Sequence, residues 1–111
     1  MLLKEKKCIP YNENEKKLTH DEKQALLKLI SPEWTLTHDE TRLFRDFKFK
    51  NFKLALDFAN TVGLIAEAEK HHPELHVGWK HCGVEIWTHV ANSIFESDFI
   101  LAAKTDSSYQ T

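Results

Sequence analysis

The feature that most constrains this fold is one long amphipathic segment in the middle of the chain, FKLALDFANTVGLIAEAEK, residues 52–70. Apolar residues recur in it three and four residues apart, which is the spacing of one helical face. These residues are Phe52, Ala55, Leu56, Ala59, Val62 and Ala66. Asn51 is a suitable N-cap, and Pro73 cannot continue the helix. The pattern predicts a helix roughly 28 Å long.

The segments on either side of this helix alternate apolar and polar residues, as strands do. Residues 33–49, EWTLTHDETRLFRDFKF, predict two strands around the polar turn HDE, with Arg45 interrupting the apolar face. Residues 75–79 and 82–88 predict the two strands of a second hairpin. Each hairpin therefore lies next to the long helix in the chain.

Two shorter helices complete the predicted order. In LTHDEKQALLKLISP, Thr19 and Glu22 have the spacing of a capping box, and in SIFESDFILAAK the same spacing joins Ser93 and Glu96. The order α-β-β-α-β-β-α predicts an α+β domain in which a four-stranded antiparallel sheet carries the helices on one face.

The length of 111 residues fits one domain. Residues 1–17 are rich in Lys, Glu and Asn and contain Pro10, so we expect a loosely ordered leader. Residues 18–106 then form the domain, and residues 107–111 form a polar tail. The small size, the short sheet edges and the apolar long helix favour a homo-oligomer.

Composition argues against several kinds of partner. The formal net charge is -2 with His neutral, which does not favour nucleic acid or an anionic membrane. No stretch approaches the ~20 apolar residues of a membrane helix, and MLLKEKKCIPY does not resemble a signal peptide, so we expect a cytoplasmic protein. Cys8 and Cys82 form no CxxC pair, which suits a reducing compartment.

The chain has seven histidines, and two of them, His71 and His72, stand side by side before Pro73. Such a pair is compatible with a metal site, an acid–base site, a pH-sensitive helix cap or no role at all. Adjacent side chains diverge, and the HExxH motif that places two imidazoles on one helical face is absent, so no metal is expected. A GxSxG nucleophile motif and a Gly-rich phosphate loop are absent too.

General acid–base chemistry is the interpretation that remains, because imidazole can both give and take a proton near neutral pH. His71, His72 and His89 all fall at ends of predicted elements, and Asp98 lies one turn into the last helix, where it can orient a histidine. Glu67 lies one helical turn before His71 and on the same side. The structural alternative is that the helix-end histidines and Asp98 are partners of helix dipoles.

Three stretches carry a family resemblance: PEWTL, RLFRDFKFKNFKLALDFANTVGLIAEAEKHHPEL and THVANSIFESDFILAAKTD. From about Thr19 to Asp106 the chain resembles the pterin-4a-carbinolamine dehydratase family. The family motif is an acidic residue one turn before His-His-Pro, then an aromatic strand, a Thr-His pair and an Asp in the last helix. Its positions here are Glu67, His71, His72, Pro73, His89 and Asp98. One departure is Phe95, which replaces a capping Thr, so Ser93 or Ser97 is expected to cap instead.

The resemblance implies a hydro-lyase that converts 4a-hydroxytetrahydrobiopterin to quinonoid dihydrobiopterin. Such an enzyme recycles the pterin of aromatic amino acid hydroxylases, needs no cofactor of its own and forms dimers or tetramers. It implies proton transfer by His71 and His89, and pterin binding by His72. Asp98 and Glu67 would set the orientation and charge of the histidines.

The resemblance also implies a substrate site that includes Pro73, with Trp34 as an aromatic wall for the flat pterin ring. Animal members of the family stabilise the dimer of a homeodomain transcription factor through a helical surface. A protein-interaction module without a catalytic role is therefore the alternative function.

Overall fold

The computed structural model describes residues 1–109. Its elements are helix α1 (His20–Leu27), strands β1 (Thr35–Thr37) and β2 (Arg42–Lys48), helix α2 (Phe52–Glu69), strands β3 (Glu74–Gly78) and β4 (His81–Ile86), and helix α3 (Glu96–Ser108). The predicted order α-β-β-α-β-β-α is confirmed, with a short 3₁₀ turn at Leu3–Glu5 added before it.

The four strands form one antiparallel sheet in the order β1-β2-β4-β3, which confirms the predicted sheet. In the two central strands Leu43 pairs with Ile86, and Phe47 pairs with Cys82. All four side chains are fully buried and share one core with apolar residues of α2 and α3. The sheet therefore has a covered face beneath the helices and an outer face, because successive strand residues point to opposite sides.

Helix α2 begins as predicted, since the Asn51 side chain accepts a hydrogen bond of 2.9 Å from the Leu54 backbone N–H. Its core face differs in detail from the predicted stripe. Phe58 is buried beside the expected alanines, whereas Phe52 and Leu56 are exposed. The sheet contacts a narrower part of the helix than the apolar pattern covers, so part of the apolar surface of α2 remains uncovered.

The C-terminus of α2 is set by Lys70, which adopts a left-handed backbone conformation with φ 56° and ψ 38°. The backbone N–H of His71 donates back to the carbonyl of Ala66 over 3.1 Å, a bond that closes a helix of this kind. The helix thus ends at Glu69, with three residues between it and Pro73. As a result His71 and His72 both lie outside α2, in the segment that leads into β3.

The start of α3 differs from the prediction that Ser93 and Glu96 form a capping box. The carbonyl of Ser93 accepts the Thr88 backbone N–H over 2.8 Å in a β-bridge, which holds Ser93 before the helix. The helix starts at Glu96, and the carboxylate of Asp98 accepts the Phe95 backbone N–H over 2.8 Å. Asp98 therefore satisfies the N–H of the N-cap residue, the role that the predicted capping box gave to Glu96.

Residues 3–9, the first part of the predicted leader, contact α2 and α3, whereas residues 12–17 are exposed. Leu3 is buried, the Cys8 backbone N–H donates to Glu69, and the Ile9 backbone N–H donates to the Ser97 hydroxyl. At the other end α3 continues to Ser108, and residues 110–111 of the expected polar tail lie outside the described residues. Within residues 1–109 no helix is both long and apolar enough to span a membrane.

Candidate active site

The end of α2 and the segment after β4 bring the three histidines of the motif to one edge of the domain. Nε2 of His89 lies 3.1 Å from the backbone carbonyl oxygen of His72. His71, the neighbour of His72, is tied through Asp98 to Thr88, the neighbour of His89. The sequence predicted these histidines as a group, and the structure places them in adjoining segments.

Asp98 is the buried centre of this arrangement, with no exposed surface. Its Oδ1 lies 2.6 Å from Nε2 of His71, while Oδ2 accepts the Thr88 hydroxyl and the Phe95 backbone N–H, each over 2.8 Å. A buried carboxylate is costly unless donors surround it, and these three donors do so. With Asp98 ionised, Nε2 of His71 carries the proton that is donated, which leaves Nδ1 as the free ring nitrogen.

His71 and His72 have different surroundings although they are adjacent in sequence. The side chain of His71 is 15% exposed, whereas His72 is 58% exposed. Nε2 of His72 bonds to the carboxylate of Glu67, which is itself 75% exposed. The sequence placed Glu67 beside His71. The helix ends at Glu69 and Lys70 turns the chain, so His71 bonds to Asp98 and His72 bonds to Glu67. One histidine is held in the interior and the other at the surface.

His89 is held by one hydrogen bond and one aromatic stack. A carbonyl oxygen can only accept, so Nε2 of His89 carries a proton when it bonds to the His72 carbonyl. The imidazole also stacks on Trp87, with ring centroids 4.1 Å apart and planes 30° apart. Trp87 was not singled out from the sequence. Trp87 lies two residues before His89, so both side chains lie on one face of an extended chain. This spacing is the sequence signal that would have identified Trp87.

Trp34 is not brought to the histidines. Its side chain is buried in the core, only 2% exposed, and its Nε1–H donates to the carboxylate of Asp106 over 2.9 Å. Asp106 lies eight residues after Asp98 on α3, about 12 Å away along the helix axis. Trp34 cannot offer a ring face to a substrate from this position. Pro73 is half-buried directly after His72 and leads into β3.

Neither a metal centre nor a nucleophilic thiol is assembled here. Among residues 1–109 no group of three or more His, Cys, Asp or Glu side chains is arranged to hold a metal ion. Burial and the nearby carboxylate of Glu69 raise the pKa of Cys8 to about 12, and burial raises the pKa of Cys82 to about 11. Both thiols are therefore protonated at neutral pH and are poor nucleophiles.

Three imidazoles in adjoining segments, one of them held by a buried carboxylate, are chemically suited to proton transfer. The fold and the site together define a small α+β protein with a candidate histidine acid–base site. The chain belongs to the pterin 4 alpha carbinolamine dehydratase family, whose model matches residues 16–108.

Individual relatives agree over nearly the whole chain. A protein of Rickettsia canadensis (strain McKiel) named "Putative pterin-4-alpha-carbinolamine dehydratase" is 47% identical over 106 residues, which cover 96% of each chain. A protein of the same name from Methylococcus capsulatus is 46% identical over 101 residues, 91% of this chain and 88% of its own. A crystal structure of a transcriptional coactivator/pterin dehydratase from Brucella melitensis has a TM-score of 0.78 and 29% identity, covering 86% of this chain and all of that one.

Proposed function

We propose that this protein is a hydro-lyase that dehydrates 4a-hydroxytetrahydrobiopterin to quinonoid dihydrobiopterin by histidine acid–base catalysis. Family membership and the names of the relatives support the reaction. The observation that carries the mechanism is the 2.6 Å contact between His71 and the buried carboxylate of Asp98, beside His72 and His89. Recycling of the pterin of aromatic amino acid hydroxylases, in the cytoplasm, is the expected setting.

The reaction needs one acid and one base. The C4a–O bond breaks and the hydroxyl leaves as water once it has received a proton, while N5 loses its proton and a double bond forms between C4a and N5. Imidazoles can serve in both steps because they exchange protons near neutral pH. We assign the transfers to His71 and His89.

The other residues of the site support these transfers. Asp98 fixes the tautomer of His71, because an ionised carboxylate can only accept and so requires the proton on Nε2. Glu67 does the same for His72, which binds and orients the pterin. Pro73 holds the backbone after His72 extended, so the two imidazoles leave the helix end in different directions. Trp34 is left out of this site because its ring is buried in the core.

A homo-oligomer, either a dimer or a tetramer, is part of the proposal. The surface of α2 that the sheet leaves uncovered carries exposed apolar side chains, namely Phe52, Leu54, Leu56 and Leu64. A second copy of the chain would cover this surface. The same apolar surface of α2 favours a protein-interaction module as the second candidate function. The similar protein from Brucella melitensis is described as a transcriptional coactivator/pterin dehydratase.

Histidine variants test the catalytic proposal. In an assay with 4a-hydroxytetrahydropterin generated in situ by a pterin-dependent hydroxylase, His71→Ala and His89→Ala should each lower kcat by at least about 10²-fold, the usual contribution of an acid–base group. Circular dichroism should show that both variants are folded. His20→Ala is the matched control, because His20 is an exposed histidine that pairs with Glu40 and makes no hydrogen bond to the site residues within residues 1–109. Wild-type rates in both site variants would disprove the assignment.

A titration separates the two candidate functions. A saturable change in tryptophan fluorescence with a dihydropterin analogue is expected for the enzyme. An interaction module without a pterin site would give no saturation, and its apolar surface on α2 would be its only functional surface.

A further inference from the structure

The stack beneath His89 continues across the outer face of the sheet. Because Leu43 pairs with Ile86, Arg42 on β2 lies directly opposite Trp87. The guanidinium carbon of Arg42 lies 3.9 Å from the centroid of the Trp87 ring, a cation–π distance. The chain of contacts therefore runs from His89 to Trp87 and on to Arg42.

Arg42 is itself anchored in the sheet. Its Nη1 donates to Glu85 over 3.2 Å, and the two side chains are only 25% and 13% exposed. Its Nε is buried and has no hydrogen-bond partner among residues 1–109. An unsatisfied N–H costs free energy, so hydrogen bonding alone does not account for the position of this guanidinium. The contact with the indole accounts for it.

Trp87 cannot be a binding surface for a flat substrate, although it lies next to a site histidine. The residue is only 9% exposed, because it packs in the buried apolar cluster and because the imidazole of His89 and the guanidinium of Arg42 contact its ring. Any influence of Trp87 on a reaction is therefore indirect, and His89 is the site histidine that it contacts.

His89 needs such a support because it is an exposed side chain with few other contacts. Within residues 1–109 its one ring hydrogen bond, from Nε2 to the His72 carbonyl, fixes one ring atom but leaves the ring free to turn about that bond. The stack on Trp87, with the two ring planes 30° apart, is a second constraint that restricts this rotation and so sets the direction of Nδ1. A proton-transferring nitrogen must be held in such a defined direction, since small misplacements lower rates strongly.

We propose that Trp87, held from the neighbouring strand by Arg42, is a positioning residue that sets the plane of the His89 imidazole for proton transfer. This inference rests on the proposed function, because it concerns the same histidine. It adds two residues that lie outside the family motif read from the sequence.

Substitutions at Trp87 test the inference by kinetics and by NMR. Trp87→Leu removes the aromatic face and keeps an apolar side chain. We expect kcat to fall by at least about tenfold with a smaller change in KM, since transition-state geometry is lost more than binding. Trp87→Phe keeps a ring and should restore most of kcat. Arg42→Met should give an intermediate loss.

The NMR signature is independent of activity. The ring protons of His89, assigned by comparison with His89→Ala, should be shifted upfield in the wild type by the indole ring current. They should move to ordinary positions in Trp87→Leu. Phe44→Leu is the matched control, because Phe44 is another aromatic residue of the outer sheet face, packed over Gly83. It should change neither kcat nor the His89 shifts.

The outcomes separate this inference from the proposed function. If His89→Ala is impaired while folded Trp87→Leu keeps wild-type kcat, the positioning role is disproved and the proposed function stands. Unshifted His89 protons in the wild type would also disprove it. If Trp87→Leu does not fold, Arg42→Met and Trp87→Phe decide the question. Wild-type rates in Arg42→Met, together with His89 signals at their wild-type positions, would then count against the positioning role. Full activity of His89→Ala would instead overturn the assignment of His89 itself.

Discussion

Helix α3 carries two aspartates that are surrounded in similar ways, one near each end. Asp98 receives hydrogen bonds from a histidine, a threonine and a backbone N–H. Asp106 receives them from Nε1 of Trp34 over 2.9 Å, Nη1 of Arg45 over 2.7 Å and the backbone N–H of Ser31 over 3.1 Å. Each carboxylate thus has three donors, but the donors differ in what they can do.

The difference lies in the ionisable partner. Arg45 keeps its charge at every pH at which a protein is folded, and the donors on Trp34 and Ser31 never become acceptors. Asp106 is therefore a permanent cross-link between α3, β2 and the segment after α1. Asp98 faces His71, which can gain or lose a proton near neutral pH. A similar pattern of three donors makes a structural tie in one place and a candidate proton-transfer site in the other.

The largest effect on activity is expected from Asp98→Asn. The amide oxygen can still accept both the Phe95 N–H and the Thr88 hydroxyl, because both donate to Oδ2 of the carboxylate. The amide nitrogen at the position of Oδ1 then directs an N–H at His71. This N–H needs an acceptor at Nε2, which moves the proton to Nδ1 and removes the free base. We expect kcat to fall by about 10²-fold or more. Stopped-flow dehydration assays measure this.

Stability provides the check on Asp98→Asn. His71, Thr88 and the Phe95 N–H each keep a hydrogen-bond partner, so the free energy of unfolding should change by less than about 1.5 kcal/mol. A normal kcat in this variant would mean that Asp98 is a helix cap only, and the contrast with Asp106 would disappear.

The largest effect on stability is expected from Asp106→Asn. None of its three donors can become an acceptor, so the new amide N–H groups face N–H donors, and Arg45 loses a largely buried partner. Breaking such a pair costs about 3 kcal/mol. Denaturant unfolding measures the loss, and kcat of the folded variant should be unchanged. Asp57→Asn is the control, since its exposed pair with Lys53 should contribute less than about 1 kcal/mol.

The elements of the fold were predictable because their signals are local. The Asn51 cap, the capping box of Thr19 with Glu22, and the buried parity of Leu43 and Phe47 each depend on residues a few positions apart. Alternation along the strands also indicated correctly which side chains share a face. The alternation could not predict which face of the sheet would hold the site, because the position of the site depends on where the helices pack.

The parts of the site that were missed depend on contacts between distant residues. Asp98 was recognised as a possible orienting group, but its partner His71 is 27 residues away and its second use as the cap of α3 displaced Ser93. The two tryptophans show the same limit. Trp34 was expected beside the substrate and instead ties to Asp106, while Trp87, on the outer face, contacts His89.

Glu67 is a third carboxylate that bonds to a partner side chain, and it lies at the surface. Its substitution should give the smallest effect on stability and activity. Its bond to His72 joins two exposed side chains, so Glu67→Gln should change the free energy of unfolding by less than about 1 kcal/mol. A neutral acceptor replaces a charged one, and the weaker hold on His72 should raise KM about fivefold with little change in kcat.

Salt separates the exposed pair from the buried one. Screening acts over about 3 Å at 1 M ionic strength and affects buried pairs much less. At 1 M NaCl the KM values of wild type and Glu67→Gln should therefore converge, while the loss of kcat in Asp98→Asn should persist. If salt left the KM difference unchanged, His72 and Glu67 would have to be shielded from solvent in the working enzyme. A second subunit over this edge of the domain would provide such shielding. Glu67 would then be a second buried carboxylate of the site, beside Asp98.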